Sequence, residues 1–267
     1  MTEHITSRDG SVIAVDSVGQ GPAVILVGGA FNDRSTVAGV AATLAPRYTV
    51  LTYDRRGRGE STDTAREAGG AFDIANEIDD LAAVIEHAGG HAHLFGHSSG
   101  AILVLEAAMR GLPVDSVAAY EPPFRADPEL PHPPSDFLDR ITALAEKGDR
   151  DGAASLFFSE AIGLPPEIVS GMKHGPAWAF FLDKALTLPY DVSFSRPSEL
   201  ADRNRLAALD LPVLAVYGDQ TSPNLMAGTK VVADSAPDAR LVVLPGEDHG
   251  VLQHPEALAP TLAEFFS

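Results

Sequence analysis

The 267-residue chain contains no cysteine. That excludes disulfides, thiolate metal sites and a cysteine nucleophile, and it leaves the redox compartment unread. Basic residues are scarce: 19 lysines and arginines stand against 37 aspartates and glutamates, a formal charge of −18 at pH 7. A surface so acidic repels nucleic acid and anionic membranes, so neither is expected as a partner. Long apolar runs are also missing, and none approaches the ~20 residues that a membrane span requires. The opening residues, MTEHITSRDG, lack a basic stretch followed by an apolar one, so no signal peptide is expected. These absences lead to the expectation of a cytoplasmic protein. They leave both a monomer and a homo-oligomer open.

What is present is ordinary globular material, with 45% apolar residues. The length suits one large α/β domain with room for an insertion. Residues 2–18 alternate around Asp9-Gly10, a hairpin signal. Ala23–Val27 is a continuous apolar run, as in a strand buried on both faces. Strand-like and helix-like runs then alternate to Tyr120, with strands expected at 48–53, 93–95 and 116–120. At Pro122 the rhythm changes. Residues 122–210 carry helical stretches near 135–147, 151–162, 166–173 and 176–186, and no convincing buried strand. The alternation resumes at Val213 and closes with a helix from Pro255. The pattern predicts an α/β fold: a mostly parallel central sheet with helices on both faces, formed by 1–121 and 211–267, and a helical cap at 122–210.

One short stretch organises this pattern. Gly96-His97-Ser98-Ser99-Gly100 follows the apolar run His93-Leu94-Phe95 and opens the helical run Ala101–Met109. Strand, G-x-S-x-G, helix is the context of a nucleophile elbow, which holds the Ser98 hydroxyl out at the carboxyl edge of a sheet. A serine so placed needs a base, an acid that orients the base, and N–H donors for an oxyanion. Of nine histidines, His249 alone combines a loop after the last strand with a neighbouring glycine. His97 is expected to point away from the serine into packing. The backbone N–H of Ser99 and one from Gly28-Gly29-Ala30-Phe31, assigned to Ala30, are the expected oxyanion donors.

Two further segments complete a resemblance. Asp54-Arg55-Arg56-Gly57-Arg58-Gly59-Glu60-Ser61 resembles the D-x-R-G-x-G-x-S segment of the α/β-hydrolases, and Pro245–His249 through Pro255-Glu256 resembles their histidine loop and final helix. The resemblance runs essentially from end to end. It implies the α/β-hydrolase fold and a Ser–acid–His triad, and it makes Asp54 and Arg55 scaffold groups.

The chain departs from the family pattern at the acid. Many relatives carry an aspartate three residues after the glycine that ends the strand following the cap; here that position is Thr221. Asp219 and Glu121 remain as candidates. Glu121 ends the strand after the elbow helix, a placement similar to that of fungal zearalenone-opening lactone hydrolases, and it is preferred. The resemblance thus implies a serine hydrolase of a small, moderately apolar ester or lactone, needing no metal or organic cofactor. Phe31, Trp178 and Phe181 are expected to line its pocket. Alternatives that reuse the same residues are a C–C bond hydrolase, a cofactor-free perhydrolase and a non-catalytic ligand-binding protein.

Overall fold

The structure is a computed structural model that describes residues 2–193 and 203–267. Its strands are β1 (Glu3–Thr6), β2 (Val12–Val18), β3 (Ala23–Val27), β4 (Thr49–Tyr53), β5 (Ala92–His97), β6 (Val114–Tyr120), β7 (Val213–Gly218) and β8 (Ala239–Leu244). They form one sheet in the order β1-β2-β4-β3-β5-β6-β7-β8. β1 and β2 pair antiparallel through the Asp9-Gly10 turn, and β2 pairs antiparallel with β4. Every other pairing is parallel.

The core helices are α1 (Ala38–Leu44), α2 (Thr64–Glu67), α3 (Ile74–His87) and α4 (Ser99–Met109). Between β6 and β7 lie α5 (Phe137–Glu146), α6 (Arg150–Leu156), α7 (Pro166–Met172), α8 (Trp178–Lys184), α9 (Leu188–Ser193) and α10 (Arg203–Leu206), with no strand among the described residues. Then come α11 (Pro223–Ser235) and α12 (Pro255–Phe265). The regularity of the alternating segments has a simple cause: side chains along a strand alternate between faces, and both faces here are covered. Ile25 and Val27 join a core with Leu81, Val84, Ile102 and Leu103 from α3 and α4. Val24 and Leu26 join the opposite core with Val40, Leu44, Leu258 and Leu262 from α1 and α12. Each such side chain contributes roughly 1.5–3 kcal/mol when fully buried, so a charge anywhere in β3 would disrupt one core or the other.

A third core belongs to the helices between β6 and β7. Phe137, Ile141, Ala153, Phe158, Trp178, Leu188 and Val192 pack there, and Phe31 reaches into it from the loop after β3. The helix expected over 151–162 is regular only to Leu156 and widens into a π turn at Phe157–Ala161. The widened turn lets two consecutive residues, Phe157 and Phe158, both meet Phe31, with ring centroids 5.3 and 5.1 Å away. The short helices α2, α9 and α10 have too few residues to show a period in the sequence. Part of the expected cap, residues 194–202, lies outside the described residues. Among the described residues no helix is long and apolar enough to cross a membrane.

Parallel strands carry their following loops to one edge, where the sites of such sheets collect. The loops after β3, β5, β6, β7 and β8 therefore bring Ala30, Ser98, Glu121, Thr221 and His249 to the same end of the sheet.

Candidate active site

Among the described residues, the non-glycine residues with positive φ are Phe31, Ser98 and Glu121, at 59°, 58° and 49°. Each such backbone costs on the order of 1–3 kcal/mol and persists only where surrounding contacts enforce it. Each here follows a parallel strand of the same sheet. Ser98 is the first. Its amide donates to Tyr120 O at 2.9 Å, which fixes the turn against β6. A Cβ on Gly96 would collide with the backbone of Gly100 and Ala101, and one on Gly100 with the backbone of Val27 and Gly28. The turn is tight enough that only glycine fits on both sides of His97-Ser98-Ser99.

Glu121 is wholly buried, and its Oε2 lies 2.6 Å from His249 Nδ1. A carboxylate only accepts, so Nδ1 carries the proton and Nε2 is left as the basic nitrogen. Gly218 N donates to Glu121 Oε1, and Thr221 Oγ1 donates to Oε2, each at 2.9 Å. Thr221 thus occupies the position where many relatives carry the acid, and here it solvates the glutamate. Asp219 faces away: exposed, it accepts from Gly246 N and Gln220 Nε2 at 2.8 Å, pinning the loop after β8. The structure brings Glu121, not Asp219, to His249.

His97 has a larger part than packing. Its ring lies 4.6 Å from that of His249 and 5.7 Å from that of Tyr120. Its Nε2 donates to His249 O at 2.9 Å, and Tyr120 Oη donates to Asp248 O at 2.7 Å. These bonds hold the histidine loop on the ends of β5 and β6. Burial, reinforced by the neighbouring His249, pushes the His97 imidazole down to about 3, so it is neutral. Its Nδ1 is buried without a partner. The position inside G-x-S-x-G was the available sequence signal.

Ala30 and Ser99 border the same cavity as Ser98. Among the described residues neither backbone N–H has a protein acceptor, so both can serve an incoming oxygen. Their loops are held from below by buried charge. Arg55 donates to both Glu77 oxygens at 2.7 and 2.6 Å, to Asp191 Oδ1 at 2.7 Å and to Gly28 O at 3.3 Å. Arg58 donates to Asp191 Oδ2 and to Gly29 O, each at 2.7 Å. Ser99 Oγ donates to Asp191 Oδ1 at 2.5 Å. Burial alone would raise the Asp191 carboxyl, but Arg58 and Arg55 outweigh it and hold the group below its usual range. Asp191, on α9, had no signal in the sequence; its role exists only through residues more than 90 positions away.

The cavity beside Ser98 and His249 has a volume of about 810 Å³. Phe31, Trp178 and Phe181, expected to line it, do not; its wall is formed by others, including Phe124, Phe137, Leu138, Phe157 and Leu225. The three pack with one another instead. Phe31 stacks on Phe158, Phe181 meets Phe31 edge-on at 5.1 Å, and Trp178 is 6% exposed with Nε1 donating to Asp151 Oδ1 at 3.0 Å. Trp178 and Phe181 are three apart on one helix face, the spacing of a packed stripe. Among the described residues no group of three or more His, Asp or Glu is arranged to hold a metal ion.

The elbow, the histidine loop and the sheet order coincide with a known family. Residues 24–261 match the Alpha/beta hydrolase family. The chain belongs to that family. It is similar over 99% of its length to all of an alpha/beta hydrolase of Sphaerobacter thermophilus, with 40% identity and a TM-score of 0.88. It is 27% identical, over 99% of its own length and 96% of the other's, to 2-(acetamidomethylene)succinate hydrolase of Mesorhizobium japonicum. The enol-lactonase of Burkholderia xenovorans shares the fold, with a TM-score of 0.74 at 18% identity over 98% of this chain and 99% of that one. The chain spans only 21% of the length of mycobacterial proteins that it matches at 34% identity over 124 residues.

Proposed function

We propose that this α/β-hydrolase is a serine hydrolase that cleaves a carboxylic ester or lactone through an acyl-enzyme on Ser98. The observation that carries the reading is the 2.6 Å contact between His249 Nδ1 and Glu121 Oε2, on loops that converge at Ser98. It leaves His249 Nε2 unprotonated and turned to the job of a base. His249 takes the Ser98 proton as Oγ attacks the carbonyl carbon. Glu121 keeps the imidazole in the useful tautomer and stabilises its cation. The Ala30 and Ser99 N–H groups receive the oxyanion, each such donor being worth ~2.7–4 kcal/mol of barrier in comparable sites. His249 then protonates the leaving alkoxide, and a water that it deprotonates releases the acid. The chemistry requires no metal or organic cofactor. The named hydrolase and enol-lactonase relatives are consistent with hydrolysis on this scaffold.

The test is labelling by a fluorophosphonate read by intact-protein mass spectrometry, with a short activated ester assayed alongside. A single adduct on Ser98, absent from Ser98→Ala, together with ester turnover lost in that variant, is the expected result. Neither adduct nor turnover would overturn the reading.

A further inference from the structure

Among the described residues, the cavity wall carries one arginine that the mechanism does not use. Beyond Ser98 and His249 it is largely apolar, with Phe124, Phe137, Leu138, Phe157 and Leu225 among its residues. Arg125 lies in the same wall, half-buried, four residues after Glu121. No lysine and no other arginine among the described residues lines that cavity. Among the described residues, the Arg125 guanidinium has no ion pair and no hydrogen bond.

That isolation contrasts with several other buried or half-buried arginines. Arg34, Arg55, Arg56 and Arg58 are each held by at least one carboxylate. Acidic residues outnumber basic ones 37 to 19, so partners are plentiful. Among the described residues, the two carboxylates of the same wall are both engaged. Asp191 is held between Arg55 and Arg58, and Asp248, exposed, accepts from Gly250 N at 2.7 Å. A cation half-removed from water without a counter-charge is unfavourable in the free protein, and a bound anion would relieve that cost. The remote surface charge would repel such an anion, but it is screened beyond about 8 Å at physiological ionic strength, whereas a guanidinium in the cavity wall acts at contact.

We infer that Arg125 is the receptor for a carboxylate on the substrate, so that the site takes esters or lactones that also carry a free carboxylate. The inference rests on the hydrolase reading of Ser98. A guanidinium offers two parallel N–H donors that match the two oxygens of one carboxylate. The absence of any lysine or second arginine among the described residues of the wall fits a monoanion better than a phosphate dianion, which usually gathers several donors. The apolar surface around it accommodates the hydrocarbon between the carboxylate and the reacting carbonyl. Arg125 therefore sets specificity and touches no reacting atom.

Two measurements test this on the full chain. The first is calorimetric binding of dicarboxylates from glutarate to suberate, to wild type and to Arg125→Gln and Arg125→Lys. Wild type binds at least one of them. Arg125→Gln weakens that affinity at least tenfold, Arg125→Lys restores part of it, and added salt weakens binding in wild type more than in Arg125→Gln. The second compares kcat/KM for mono-4-nitrophenyl esters of the same diacids with that for neutral acyl esters of equal length. Wild type favours the anionic ester at one length or more, and Arg125→Gln lowers the anionic-to-neutral ratio at least tenfold, mainly through KM. If no dicarboxylate binds and the ratio is the same in wild type and Arg125→Gln while neutral esters are turned over, the inference falls and the hydrolase reading stands. If dicarboxylates bind through Arg125 but no ester is cleaved and Ser98 takes no fluorophosphonate, the anion site stands and the hydrolase reading falls.

Discussion

Glu121 and His249 are 128 residues apart in the chain and 2.6 Å apart in the fold, Oε2 to Nδ1. The contact is possible because β6 and β8 both flank β7 in the sheet. Glu121 turns inward through a backbone with φ of 49°, while Asp219, one residue past the end of β7, turns outward to Gly246 N. If this pair orients the base, its loss should show in turnover, not in folding. Glu121→Gln is expected to lower kcat by ~10³–10⁴-fold, the cost of the wrong imidazole tautomer in a comparable triad. Asp219→Asn is expected to stay within a few-fold of wild type. Steady-state kinetics with one activated ester decides it, and the opposite ranking would reassign the acid.

His97 gives a prediction in pH. Its imidazole titrates near 6.5 in the unfolded chain and at about 3 in the folded one, because burial opposes the charge. Between those values the unfolded state binds the extra proton, so stability rises with pH and is lost as pH falls through this window. The contribution is on the order of 1.4 kcal/mol for each pH unit below about 6.5. Urea unfolding at about pH 7.5, 5.5 and 4.5 should show this loss in wild type and a shallower one in His97→Asn. Equal slopes would mean that His97 is already protonated in the fold.

Asp191 links α9, among the helices between β6 and β7, to the loops beneath Ala30 and Ser99. Removing one partner from a buried ion pair costs ~3–5 kcal/mol, because the charge left behind is uncompensated. Asp191→Asn is expected to lower the unfolding midpoint accordingly. It should also lower kcat about tenfold well below that midpoint, since Ser99 Oγ and the arginines on Gly28 O and Gly29 O lose their common anchor. A lower midpoint with wild-type kcat would confine Asp191 to stability.

Trp178 tests the division between packing and pocket. It is buried in the core formed by the helices between β6 and β7 and lies outside the cavity wall. Trp178→Ala is expected to cost about 3–5 kcal/mol of stability through the cavity it leaves. Ester KM measured well below the unfolding midpoint should stay within a few-fold of wild type. A large rise in KM without loss of stability would return Trp178 to the substrate.

Much of this protein follows from local patterns in its sequence. The continuous apolar run at 23–27 reads as a strand covered on both sides, and the glycines around Ser98 mark a turn that tolerates no Cβ. Those signals suffice for the alternating sheet, the elbow and the loop that carries His249, because each depends on near neighbours along the chain. Tertiary structure alone decided the rest. Which carboxylate meets His249 depends on which way two adjacent strand ends turn. The packing of Trp178 and Phe181 away from the cavity depends on Phe31 arriving from a distant loop. The Asp191 network and the setting of Arg125 depend on what surrounds them in space. The physical reason is common to all of these: a side chain's charge state, burial and partners are set by neighbours that the fold brings together, whereas strand and turn are set largely by the residues beside them.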